Sequence, residues 1–277
     1  ECSPLLRRVA QLAQGRQITH DAPFEFHGHH CSRPAGCDRR RGWLHRRSVA
    51  SGPMEPDLTP ADDSRSRIVL ASGSRYRARV LTDAGYDVEI DPPRVDERIL
   101  DPLFHSEGPQ HLATELARLK VLDVAPRHPG ATVLAGDQVG VLTAGDRQVL
   151  LSKTPDARSA VRQLMAMSGT VHRLVNAIVV MRGPAGPSVS GVDEATVTMR
   201  PFSEAEALRY VERFEPFDTA GSYRLEDAES MEPGESLVAS VEVEHPSGVL
   251  GMPLPLFGRL LAELGQPSSS TSPSTSS

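Results

Sequence analysis

The sequence predicts an α/β fold, a single mixed-sheet domain of about two hundred residues with a central cleft. Three observations predict it. From Arg67 onward, short apolar runs alternate with stretches of helical spacing. Two long strand-like runs late in the chain are joined by a Gly/Pro turn, so the sheet is not purely parallel. Several strands also end on small, hydroxylated or charged residues, where α/β sheets open their ligand clefts.

The first element, Arg67 to Leu81, sets the pattern for the rest. Ile68 to Ala71 is a short buried strand that breaks at Ser72-Gly73-Ser74. Helical spacing follows up to Gly85, with Ser74 as N-cap. A strand that turns through hydroxyl residues into a helix makes an anion site, because the first-turn N–H groups are unpaired at the positive end of the dipole. Ser72, Ser74 and Arg77 add donors there.

A second strand runs from Tyr86 to Ile90 and is broken by Asp91-Pro92-Pro93. A helix over about 109–124 places Leu112, Leu116, Leu119 and Leu122 on its apolar side. Ala131 to Ala135 reads as a buried strand ending at Gly136-Asp137-Gln138. Val139 to Leu142 and Gln148 to Leu151 flank a hairpin turn. Asp156 to Met167 is helical, and Val171 to Met181 and Gly191 to Met199 are the two long strands. Ser203 and Glu206 form a capping box for a helix reaching Phe214. A last strand lies near Leu237 to Val243, and a last helix ends at Leu264-Gly265. The predicted domain therefore spans 66–265.

The two ends read differently. Residues 1–60 lack sustained periodicity and hold all three cysteines and five of the ten histidines. His27, His29, His30, Cys31 and Cys37 match none of the usual zinc spacings, so a disordered extension, or a start assigned too early with Met54 as the true one, is the expectation. A zinc-binding module there is the weaker alternative. The Ser/Thr/Pro tail over 266–277 is expected to be disordered.

Composition narrows the partners. A net charge of −6 argues against a general nucleic-acid binder. No apolar run approaches the ~18 residues of a membrane span, and no secretory segment precedes Gln17, so a cytoplasmic location is expected. There is no Walker A pattern and no Gly-x-Gly-x-x-Gly after a strand, which argues against a P-loop NTPase or a dinucleotide-dependent dehydrogenase. The chain has 28 Arg and only two Lys, Lys120 and Lys153. A position that stays Lys in that background is a candidate for needing a compact ammonium. Serines, Arg77, the two lysines and the carboxylates Asp96, Glu97 and Asp137 together suit a triphosphate with a divalent metal such as Mg²⁺ or Mn²⁺.

These motifs resemble one family in order and spacing. Ser72-Gly-Ser74-Arg-Tyr76-Arg77 is similar to the opening motif of the Maf family of nucleotide pyrophosphatases, and Val95-Asp96-Glu97 to its next. Leu116-Ala-Arg-Leu-Lys120, Gly136-Asp137-Gln138-Val139, Lys153, Ser168-Gly169-Thr-Val-His172, Ala220-Gly221-Ser222-Tyr223 and Gly251-Met-Pro253-Leu254 continue the match. The resemblance implies a Maf-like (inosine-triphosphate-pyrophosphatase-like) domain that hydrolyses a nucleoside triphosphate to the monophosphate and pyrophosphate with a divalent metal. It implies Asp137 as catalytic base, with Lys120, Lys153 and Glu97 in the catalytic set. Ser72, Ser74 and Arg77 would bind phosphate, and Asp137 and Glu97 would lie near the metal.

Three positions, Tyr76, Gln138 and Glu226, resemble the 7-methyl-GTP branch more than the dTTP/UTP branch. The chemistry agrees, since a methylated guanine carries positive charge that an aromatic face and a carboxylate both attract. The dTTP/UTP activity, and a nucleotide-binding regulator of division with little catalysis, are the alternatives. The resemblance leaves room for a homodimer. Departures are Ala78 in place of a second Arg, and Ser152 and Thr154 where the family has Gly and Pro around the lysine.

Overall fold

The computed structural model describes residues 67–265 apart from Pro233. The extension over 1–60, its His/Cys cluster, Met54 and the tail over 266–277 lie outside the described residues.

Seven strands form one open sheet: β1 (Ile68–Leu70), β2 (Val88–Ile90), β3 (Thr132–Ala144), β4 (Arg147–Leu151), β5 (Val171–Arg182), β6 (Ser188–Met199) and β7 (Val238–Val243). The order is β2-β1-β3-β5-β6-β7, with β4 also pairing β3. β1 runs parallel to β2 and β3, while every other pair is antiparallel. The mixed α/β sheet is the expected one. β1 is buried throughout, as a short apolar parallel strand requires.

Helices cover both faces. On one face lies α3 (Pro109–Val124), packed on Val133, Ala135, Val139 and Val141 of β3 and on Val175, Ala177 and Val179 of β5. The short α2 (Leu103–Ser106) flanks it. The opposite face carries α1 (Arg75–Asp83), α4 (Ala157–Met167), α5 (Glu204–Phe214) and α7 (Leu254–Gly265), with α6 (Pro246–Val249) between β7 and α7. The caps follow the sequence. Ser74 accepts from the Arg77 amide, Asp156 from Ser159, and Ser203 with Glu206 completes the capping box of α5.

Two details differ from expectation. The strand predicted to end at Gly136 continues to Ala144, because β5 pairs with it without interruption from Thr132 to Leu142. The polar residues at 137 and 138 break the apolar pattern but not the backbone ladder. On its other edge β3 is paired by β1 as far as Leu134 and by β4 only from Gly140. Residues 135–139 thus border a gap between two strands. The buried stripe of α3 is also rotated. It runs through Leu112, Leu116, Lys120 and Val124, whereas Leu122 is 49% exposed.

Candidate active site

Successive residues of a strand point to opposite faces. Along β3, Ala135 and Val139 pack against α3, so Asp137 between them faces α3 as well, and Gln138 faces the other way. Asp137 is therefore a carboxylate set in an apolar layer, where a charge is costly unless it is answered. Lys120 answers it.

Lys120 is buried because it occupies the apolar stripe of α3, four residues after Leu116 and four before Val124. Its Nζ lies 2.5 Å from Asp137 Oδ1 and 2.9 Å from Glu97 Oε2. Lys120 and Asp137 are 6% and 8% exposed, while Glu97 is partly exposed at the start of a 3-10 turn, Glu97–Leu100. One ammonium thus bridges two carboxylates.

The hydroxyl-lined turn forms between β1 and α1, where the sequence places it. Ser72 Oγ accepts from the Ser74 amide at 3.2 Å and from Arg77 Nη1 at 3.1 Å. Arg77 Nε donates to Gly251 O at 2.9 Å. Gly251 has φ +77°, where a side chain is strained, and a Cβ there would press to 3.3 Å on the guanidinium. Burial pushes the Arg77 pKa down, and the charges of Asp137 and Glu97 oppose that shift. The turn and the ion triad therefore share one electrostatic environment.

A third group gathers beside the first turn of α1. Burial raises the Tyr76 phenol, and the charge of the Glu226 carboxylate adds to that shift. Glu226 opens a 3-10 turn, Glu226–Ser230. Tyr210 Oη donates to Asp227 at 2.5 Å and accepts from the Arg224 amide at 2.8 Å, fixing the chain on both sides of Glu226. Tyr223 is bonded to His172 Nε2 at 2.7 Å.

The structure does not bring every predicted residue into contact. Lys153 is exposed after β4 and has no bonded partner among the described residues. Its neighbours are held instead: Gln163 donates to Ser152 O at 2.9 Å, and Thr154 bonds Ser222 at 3.0 Å. Gln138 turns away from Asp137 and donates to Asn176 Oδ1 at 3.0 Å and to Val249 O at 3.1 Å. Sequence reasoning missed Asn176, Gln163 and Asp193. For Asn176 there was a signal, an amide inside the apolar run from Leu174 to Met181.

Among the described residues, no three His, Cys, Asp or Glu side chains cluster to hold a metal. Asp137 and Glu97 still suit Mg²⁺ or Mn²⁺, which take one or two carboxylates and fill their shell with water and substrate phosphate. No helix among the described residues is long and apolar enough to cross a membrane.

An α/β sheet whose central gap is edged by an anion-binding turn, a buried ammonium and two carboxylates defines a phosphate-handling class of protein. The chain matches the family model described as Maf-like protein over residues 67–264, and it belongs to that family. It is similar to a protein of Rhizobium etli named 7-methyl-GTP pyrophosphatase, 35% identical over 72% of this chain and 96% of the relative. A Nitrosococcus oceani protein of the same name is 32% identical over 72% of this chain and 94% of its own. A Thermomicrobium roseum protein named dTTP/UTP pyrophosphatase is 36% identical over 72% of this chain and 85% of its own.

Proposed function

We propose that this chain hydrolyses a nucleoside triphosphate, 7-methyl-GTP being favoured, to the nucleoside monophosphate and pyrophosphate. The buried Lys120–Asp137 pair beside the Ser72–Arg77 turn carries the reading, supported by the names of the relatives. Asp137 takes a proton from water as the water oxygen bonds to phosphorus and the pyrophosphate leaves. Lys120 holds Asp137 in place and keeps its charge answered until substrate arrives. Ser72, Ser74, Arg77 and the free amides of the first turn of α1 hold phosphate oxygens, and the exposed Lys153 supplies a further cation. Asp137 and Glu97 would hold the divalent cation, which supplies charge neutralisation for the polyphosphate.

Sequence identity does not separate the two branches, at 35% and 36%. The base is argued from Tyr76 and Glu226 instead. An aromatic face and a carboxylate suit a cationic purine, through cation–π attraction of roughly 0.5–2 kcal/mol and hydrogen bonds to its N–H groups. A cytoplasmic setting and a homodimer belong to the same reading, and light scattering reads the second.

The test is pyrophosphate release across modified and ordinary triphosphates with Mg²⁺ or Mn²⁺. Asp137→Asn is expected to lose about 10³-fold in kcat while remaining folded. Glu226→Ala should cost 7-methyl-GTP turnover about tenfold more than dTTP or UTP turnover. Full activity in Asp137→Asn overturns the assignment, and an equal loss on all substrates overturns the base preference. Nucleotide binding without any release would favour the regulator.

A further inference from the structure

The sheet face opposite α3 carries a polar row that crosses three strands of a mostly apolar layer. Gln138 of β3, Asn176 of β5 and Asp193 of β6 stand directly opposite one another across three neighbouring strands. Asn176 is 0% exposed, and an unbonded amide there would cost about 1–3 kcal/mol. Its bonds are therefore informative.

Backbone carbonyls only accept, and two of them fix how both amides are turned. Asn176 Nδ2 donates to Gly248 O at 2.8 Å, so its nitrogen faces α6. The residue facing it on β6, Asp193, is a carboxylate, another acceptor. Asn176 Oδ1 is left facing β3, where it receives the 3.0 Å bond from Gln138 Nε2. The second bond of that nitrogen goes to Val249 O at 3.1 Å. Both N–H groups of Gln138 are consumed. Its Oε1 has no partner among the described residues, and Gln138 is the partly exposed residue in a buried stretch of β3. It also stands in the gap between β1 and β4, on the face where Gly136, two residues earlier, meets Arg77.

We propose that Asn176 is a positioning residue that makes Gln138 an obligate hydrogen-bond acceptor, through which the cleft reads a donor on the nucleoside. The inference rests on the nucleotide reading above and adds the polarity of the contact. The donor is the exocyclic amine of the base or a sugar O–H. Glu226, when ionised, is likewise acceptor-only, so two of the three groups the sequence assigns to specificity have the same polarity.

The test compares kcat/KM for 7-methyl-GTP with 7-methyl-ITP, which lacks the exocyclic amine, and for GTP with its 2′-deoxy and 3′-deoxy forms. The native protein should lose about tenfold, chiefly in KM, on whichever analogue lacks the recognised donor. The first pair identifies a base donor and the others a sugar donor. Gln138→Met should compress that discrimination to within about twofold, the change falling chiefly in KM, and Asn176→Leu should do the same from a distance. Gln138 is partly exposed, so its variant stays informative if Asn176→Leu fails to fold. Independently of turnover, the Gln138 side-chain amide protons should exchange slowly in the native protein. Fast exchange, or an active enzyme whose discrimination is unchanged in Gln138→Met, overturns the inference and leaves the pyrophosphatase reading standing. No turnover on any triphosphate overturns that reading instead, and amide exchange then decides the role of Asn176.

Discussion

The two faces of the sheet treat polar groups in opposite ways. On the α3 face polarity is charge: one ammonium between two carboxylates, set in a layer of Val, Ala and Leu. On the opposite face the buried polar groups at the sheet are chiefly neutral and directional, an amide pair and a histidine–tyrosine pair. Consecutive residues of β3, Asp137 and Gln138, deliver the two kinds, because a strand alternates its faces. The difference suits a division of labour. Charge acts on phosphates at any orientation, whereas telling one nucleoside from another needs donors and acceptors with fixed polarity.

The largest expected effect comes from breaking the charged face. Lys120→Met leaves Asp137 buried without its counter-ion, and should cost about 3–5 kcal/mol in urea unfolding. Adding Asp137→Leu removes the orphaned charge and should restore most of that stability, without restoring activity. A Lys120→Met protein as stable as the native one would mean that water already screens the pair.

The neutral face predicts the opposite sensitivity, to protonation. Burial pushes His172 down from the ordinary 6.5 to about 4, so the folded state holds it neutral while the unfolded chain protonates near 6.5. Stability from this group is complete above 6.5 and is lost as pH falls towards 4. The loss by pH 4.5 is about 2–3 kcal/mol. His245 is also lowered by burial and acts in the same direction, so the informative measurement is a difference between proteins. His172→Gln should flatten the fall in stability between about pH 7 and 4.5 by that amount. An unchanged slope would remove the claim that this face is kept uncharged.

The same contrast explains what the sequence made legible. Local signals carried the Ser72–Arg77 turn, the caps at Ser74 and Ser203, and the unusual retention of Lys120. The continuity of β3 was not legible, because Gly136-Asp137-Gln138 reads as a strand end until β5 is known to pair along it. Which face each residue serves depends on that register. The row from Gln138 to Asp193 joins residues 38 and 17 apart whose alignment exists only in the folded sheet. The burial of Lys120 among leucines was half legible: its spacing from Leu116 gave the stripe, but Leu122 pulled the predicted face too far round.

The smallest expected effect concerns the second lysine. Lys120 is placed by its own charge, but Lys153 is exposed and has only its neighbours to place it. Thr154, which stands where the family has proline, bonds Ser222 at 3.0 Å, and Gln163 donates to Ser222 at 2.9 Å and to Ser152 O at 2.9 Å. Ser222 is 0% exposed with φ +57°, so it is held rather than free to follow its neighbours. If these hydroxyls position Lys153, Thr154→Val and Ser222→Ala should each raise KM about two- to fivefold with kcat nearly kept. The double variant should cost little more than either single one, a coupling of about 1 kcal/mol. Additive losses would mean that the two hydroxyls act separately, and that the exposed lysine takes its position from the substrate alone.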